Sequence, residues 1–177
     1  MKILVISCSL NSNSNSRILA QEVYAAMKGR NVQVELVDLR EYNLPACDGD
    51  SCYKDDNVLK LTKEIREAKG VVIATPVYNY AASSSAKNMI EVVDSAWEGK
   101  VVGFVCAAGG KASYMAVMGL ANSLMLDFRT FIIPRFVYAS TDAFGDGTIV
   151  DEKVKERLNL LGEDMVKITT AIAGNTG

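Results

Sequence analysis

The chain has 177 residues, 49% hydrophobic and 23% charged, with a formal net charge of −2 and no histidine. That length suffices for a single domain spanning residues 1–177, able to bury roughly 70% of its unfolded surface without a disulfide or metal staple. The slight acidity excludes nucleic acid as a natural partner. The missing histidine removes Ser-His-Asp catalysis, histidine general bases and histidine-ligated zinc at once.

Residues 2–6 open the chain as a strand, a β-branched apolar run bounded by Ser and Asn. The run is too short for the apolar region of a signal peptide, and no stretch approaches the roughly 18 apolar residues of a membrane span. A soluble, cytoplasmic chain with no membrane partner is expected. Ile18, Leu19, Val23, Ala26 and Met27 recur at helical spacing, and Gly29 closes that helix. Val32, Val34, Leu36 and Val37 make a second strand, followed by a polar loop from Arg40 to about Asn57. Asp55 or Asp56 caps the next helix, whose inner face is Val58, Leu61, Ile65 and Ala68.

Gly70 leads into residues 71–74, an unbroken apolar strand, with a loop at 75–83. Ala86, Met89, Ile90 and Val93 supply a third helical stripe, residues 101–107 a fourth strand, Gly109-Gly110 a turn, and residues 115–126 a Met-rich helix. Its stripe of Met115, Met118 and Met125 fits core packing better than an interface. Residues 131–133 and 136–138 form a fifth strand interrupted by Pro134; Asp151 then caps a final helix with Val154, Leu158, Leu161, Met165, Ile168 and Ile172 on one face, and residues 174–177 read as a frayed tail. Five strands alternating with five helices predict an α/β fold: a doubly wound, five-stranded parallel sheet with helices on both faces. Ligands of such folds bind outside the carboxyl ends of the strands, which points to residues 7–16, 75–83 and 107–113.

The first of these segments joins a buried strand to a helix and is rich in Ser and Asn, notably Ser9, Asn11, Ser14, Asn15 and Ser16. Backbone N–H groups at a helix N-terminus, helped by the helix dipole and short hydroxyl donors, make an anion cradle. The same run also fits a solvated loop that merely caps a helix. G-x-G-x-x-G is absent, and Gly110-Lys111 lacks both the Walker glycine, replaced by Val105, and the following Ser or Thr, replaced by Ala112. In the second segment Pro76, Val77, Tyr78 and Asn79 combine a fixed turn, flat aromatic walls and an amide, a mixture suited to a planar heteroaromatic ring. In the third, Ala108, Gly109 and Gly110 let backbone approach a ligand edge. The first strand ends in Ser7-Cys8-Ser9 rather than in the carboxylates a phospho-accepting receiver domain needs.

Together these segments resemble the NAD(P)H-dependent FMN reductases, a flavodoxin-like family that includes quinone, azo and chromate reductases. The resemblance spans nearly the whole chain. Of that family's G-S-L-R-x-x-S-x-N loop, Ser9, Leu10 and Ser14 match, with Cys8 for Gly, Asn11 for Arg and Ser16 for Asn. Of T-P-E-Y-N and K-N-x-I-D, Thr75, Pro76, Tyr78, Asn79, Lys87, Asn88 and Ile90 match, with Val77 for Glu and Glu91 for Asp; Ser83 stands where the family has proline. The resemblance implies FMN as cofactor, its phosphate on the first loop and its ring between the second and third. It also implies NADH or NADPH as co-substrate, a quinone, azo compound, free flavin or metal oxyanion as oxidant, and a homodimer or homotetramer. Arg17 is positioned to replace in part the lost loop arginine. No side chain is required as catalytic acid or base, because the flavin carries the redox chemistry. An electron-carrier flavodoxin is the alternative, but such carriers have a Thr/Ser-Gly phosphate loop and a strongly acidic surface. The region from Cys47 to Asp56 is also similar to a degenerate piece of the iron-sulfur flavoproteins. Two cysteines do not complete a four-cysteine cluster, so no metal is expected. Cys47 and Cys52 read as unpaired loop thiols, with a reversible dithiol as the other possibility.

Overall fold

The computed structural model describes residues 1–174. In chain order it contains β1 (Lys2–Ser7), α1 (Asn15–Met27), β2 (Gln33–Asp38), α2 (Asp56–Glu67), β3 (Gly70–Tyr78), β4 (Ala81–Ala82) and α3 (Ser84–Val93). There follow β5 (Val101–Ala108), α4 (Met118–Phe128), β6 (Phe131–Ile132), β7 (Val137–Ser140), β8 (Phe144–Gly145), β9 (Thr148–Ile149) and α5 (Glu152–Gly174). The tail expected at 174–177 lies, beyond Gly174, outside the described residues.

The strands of the central path run β2-β1-β3-β5-β6, all parallel. This is the flavodoxin-like doubly wound order, with its switch point between β1 and β3. The sheet has seven strands rather than the five expected, for two local reasons. The fifth position is split: Phe131–Ile132 pairs with the start of β5 and Val137–Ser140 with its end, the break falling around Pro134, which has no N–H to donate to a ladder. The other addition is β4, a two-residue strand that folds back antiparallel on the end of β3.

Period-two alternation sends successive side chains of each strand to opposite faces. Leu4, Ile6, Ile73 and Phe104 pack with Leu61 of α2 and Met89 of α3, whereas Ile3, Val5, Val72 and Val105 pack with Leu19 of α1 and Leu161 of α5. Both faces are therefore covered, as an all-parallel sheet requires. A Cβ at Gly162 would lie 3.1 Å from the Ala26 Cβ, so glycine sets how closely α5 approaches α1.

Helix starts follow their capping residues. The Ser14 hydroxyl accepts from the Arg17 N–H, and Asp55, rather than Asp56, accepts from the N–H groups of Asn57 and Val58. Asp151 accepts from the N–H groups of Lys153 and Val154. Each such cap is worth about 1 kcal/mol of helix stability. The methionine stripe departs from expectation. The inner face of α4 is Leu120, Ala121 and Leu124, leaving Met115 60% and Met125 39% exposed. The segment before α4 is turn rather than helix, held by Tyr138, whose hydroxyl donates to the Gly110 carbonyl and lies 3.1 Å from the Ser113 hydroxyl. Finally, β8 and β9 form a hairpin around Asp146 and Gly147, both at positive φ, where only a connection was expected.

Candidate functional site

The carboxyl ends of β1, β3, β5 and β7 converge on one open groove of about 160 Å³, lined by Ser9, Asn11, Asn13, Ser14, Asn15, Ser16, Pro76, Val77, Tyr78, Ala107, Ala108, Gly109 and Thr141. Every residue singled out in the three segments lies there except Asn79 and Gly110. Asn79 sits with Tyr80 at the exposed tip between β3 and β4, where both have left-handed φ of 50° and 63°. Two successive left-handed residues form the tight turn that reverses the chain into β4. Asn tolerates this conformation readily, and a tyrosine is held in it at a cost of roughly 1–2 kcal/mol.

The wall formed by residues 9–16 is shaped by its own side chains. The Ser9 hydroxyl accepts from the Asn11 N–H at 3.3 Å, the Asn11 side chain accepts from the Asn13 N–H at 2.9 Å, and the Ser14 and Ser16 hydroxyls lie 2.9 Å apart. Among the described residues, the N–H groups of Asn15 and Ser16 in the first turn of α1 meet no protein acceptor. They face outward at the positive end of the helix dipole. No lining residue is charged. Arg17 does not stand in for the missing loop arginine: its guanidinium pairs with Asp38 at the end of β2. Burial raises the Asp38 carboxyl above its ordinary value, and the Arg17 charge opposes that shift. Lys111 is likewise taken, 2.7 Å from Asp142. What the groove offers an anion is therefore helix N–H groups and hydroxyls, with no free cationic side chain among its lining residues.

Behind the groove runs a chain of hydroxyls. Thr75 and Ser83 lie 3.1 Å apart, Ser83 and Ser85 2.9 Å apart, and Ser85 donates to the Cys8 carbonyl at 2.5 Å. Thr75 and Ser83 are buried. Ser83 also caps α3 by accepting from the Ala86 N–H, a task proline cannot perform. The relay ties the end of β3 to the loop after β1. On the opposite wall the Thr141 hydroxyl reaches the carbonyls of Ala108 and Gly109 at 3.4 and 3.3 Å. Thr141, Asn13 and Ala107 were not singled out from the sequence. A Cβ placed on Gly109 would meet nothing within 4 Å, so the space beside that turn is open.

A larger hollow of about 610 Å³ lies on the other side of Leu10, lined by Leu39, Tyr42, Leu44, Ser85 and Asn88 among others. Its lining is apolar in larger proportion, although it also includes Arg40, Asn43 and Ser84. Asn88 already spends its side chain on the Pro45 carbonyl and the Cys47 N–H, and Tyr42 donates to Glu64. The smaller groove gathers the convergent donors that a polar ligand needs. Among the described residues no group of three or more His, Cys, Asp or Glu is placed to hold a metal ion, and no helix is long and apolar enough to cross a membrane.

The family model of the NADPH-dependent FMN reductases matches residues 1–144, which contain every lining residue of the groove. The chain belongs to that family. A NAD(P)H-dependent FAD/FMN reductase of Geobacillus thermodenitrificans is 31% identical over 172 residues, covering 94% of this chain and 92% of the relative. The similarity to iron-sulfur flavoproteins is also present but partial: one from Archaeoglobus fulgidus is 30% identical over 97 residues, covering 51% of this chain and 48% of the relative. Among solved structures, a NAD(P)H:acceptor oxidoreductase of Paracoccus denitrificans superposes with a TM-score of 0.78 at 23% identity, covering 96% of this chain and 97% of that one. As a member of this family the chain is an oxidoreductase with FMN as cofactor and NAD(P)H as co-substrate. The groove suits that cofactor: uncharged donors at a helix N-terminus for a phosphate, and an open, small-residue margin at Ala108 and Gly109 for a flat ring.

Proposed function

We propose that residues 9–16 hold the FMN phosphate, and that the ring is held by Pro76, Val77, Tyr78 and Asn79 on one edge and Ala108, Gly109 and Gly110 on another. The reading rests on the convergence of these segments on one groove with unpaired helix N–H groups at its end. The groove is too small to enclose a whole flavin, so Tyr78 and Gly109 would border the part of the ring lying outside it. Asn79 and Gly110, outside the groove itself, border that outer part. The chemistry FMN supplies when bound is acceptance of hydride from the nicotinamide and its return to an oxidant. The chain's own part is to neutralise the phosphate with dipoles, fix the ring edge and leave a shelf beside Gly109 where the nicotinamide and then the oxidant can stack. No side chain serves as acid or base.

The oxidant is a small planar or oxyanionic acceptor, namely a quinone, azo compound, free flavin or metal oxyanion. Because both substrates use one shelf, initial rates at varied NADPH and quinone should give parallel double-reciprocal lines. Intersecting lines would place the two substrates at separate sites and remove the shared shelf.

The working form in this reading is a homodimer or homotetramer. Its support is the apolar surface left bare on one copy: Met125 and Leu126 on α4, Tyr114 and Met115 in the turn before it, and Tyr78 and Tyr80 at the end of β3. Sedimentation of the FMN-loaded chain should give two or four times the chain mass, and a monomer at micromolar concentration contradicts it. Four free cysteines fit a reducing cytoplasm.

A further inference from the structure

Apart from the flavin groove, two thiols face each other in the loop between β2 and α2. The Sγ atoms of Cys47 and Cys52 are 4.0 Å apart. Cys52 is 2% exposed and Cys47 is half-buried. We propose that this pair is a thiol–disulfide exchange site whose reactants are low-molecular-weight disulfides, with Cys47 as the attacking thiol and Cys52 as the resolving one.

The loop is built to hold the two sulfurs together while both are reduced. Asp48 accepts from the N–H groups of Asp50 and Cys52, each at 3.0 Å, and from the Ser51 hydroxyl. These bonds hold the Asp48 carboxyl well below the usual carboxylate range. On the other side, Cys47 donates its N–H to the Asn88 side chain at 2.9 Å, and Asn88 donates to the Pro45 carbonyl at 2.9 Å. Both ends of the turn are therefore anchored, one by its own carboxylate and the other by α3. Bond formation needs the sulfurs to close to about 2.05 Å. The segment between them, Asp48, Gly49, Asp50 and Ser51, is exposed, and Gly49 already has φ of 75°. The other cysteines contrast with this pair. Cys8 and Cys106 are buried in the core as Cys52 is, but neither has a part-exposed cysteine such as Cys47 to meet a reactant, and burial pushes the Cys106 thiol up to about 12.

The chemistry is balanced in two displacements. The Cys47 thiolate attacks one sulfur of the small disulfide, forming a mixed disulfide and releasing one small thiolate. The Cys52 thiolate then attacks the Cys47 sulfur, breaking the mixed bond and releasing the second. The protein loses two hydrogens and the small disulfide gains them as two thiols. The division of labour follows from access, since only a thiol that solvent reaches can meet the reactant.

The test is incubation of the purified full chain with oxidised glutathione as the probe disulfide, followed by acid quench, alkylation and mass spectrometry of intact protein and peptides. The wild-type chain should lose two hydrogens, with one bond between Cys47 and Cys52 and with Cys8 and Cys106 both alkylated after unfolding. The Cys52→Ser chain should stop at a single glutathione adduct on Cys47. The Cys47→Ser chain should react roughly tenfold or more slowly, as its remaining loop thiol is buried. A wild-type chain that stays fully reduced, or that retains glutathione on Cys47 without closing the bond, overturns the proposal. That wild-type result stands whether or not either variant folds, and needs no flavin, so it is independent of the reading of the groove.

Discussion

Replacing Ser9 and Ser14 together with Ala is expected to weaken FMN binding by about one to two orders of magnitude for each hydroxyl removed, leaving riboflavin binding nearly unchanged. The size follows from a hydrogen bond to a charged phosphate being worth about 1.5–3 kcal/mol. Here that bond matters more than usual, because no lining residue of the groove is charged and Arg17 and Lys111 are paired elsewhere. The two hydroxyls are not equivalent. Ser9 is buried and, among the described residues, its oxygen accepts only from the Asn11 N–H, whereas Ser14 also caps α1 and meets Ser16. Loss of the Ser14 cap costs about 1 kcal/mol of helix stability, which a thermal melt registers separately from binding. Isothermal titration of each variant with FMN and riboflavin decides the matter. Equal losses for both flavins would remove the phosphate from this loop.

How far the sequence reaches is clearest where its local signals end. The parallel sheet and the meeting of the three polar segments at one groove were legible because buried parallel strands are short apolar runs and the loops of doubly wound folds collect at their carboxyl ends. The same rule extends to the fifth strand, so Thr141, just beyond Ser140, had a signal that went unused. The Asp146-Gly147 pair between Phe144 and Ile149 is likewise a strong short-range hairpin signal. Other features were out of reach. Helical spacing suggests a methionine stripe over 115–125 but not that Met115 falls in a turn before α4 or which face meets the sheet; the inner face is Leu120, Ala121 and Leu124. Arg17 looked available for a phosphate because its partner, Asp38, is brought beside it only when β2 pairs with β1. Cys47 and Cys52 read as unpaired loop thiols with a reversible dithiol left open, and both are free thiols; that their sulfurs lie 4.0 Å apart depends on the turn organised by Asp48, not on their separation in sequence.

Anaerobic mixing of the FMN-loaded chain with NADPH or NADH tests the central claim most directly. A reductase needs room for the nicotinamide within roughly 3–3.5 Å of the ring, and in the proposed reading that room is the unobstructed space at Gly109. The visible absorbance should therefore bleach in a single two-electron step with at least one of the nucleotides, and a quinone added afterwards should restore it. Gly109→Phe fills the same space without displacing any neighbour within 4 Å of the new Cβ. It should slow bleaching by roughly 100-fold, the scale on which a misplaced reactant loses rate, and weaken FMN binding far less. The account is contradicted if neither nucleotide bleaches the wild-type protein while dithionite does so in two separate one-electron stages, the behaviour of an electron carrier with no nicotinamide site.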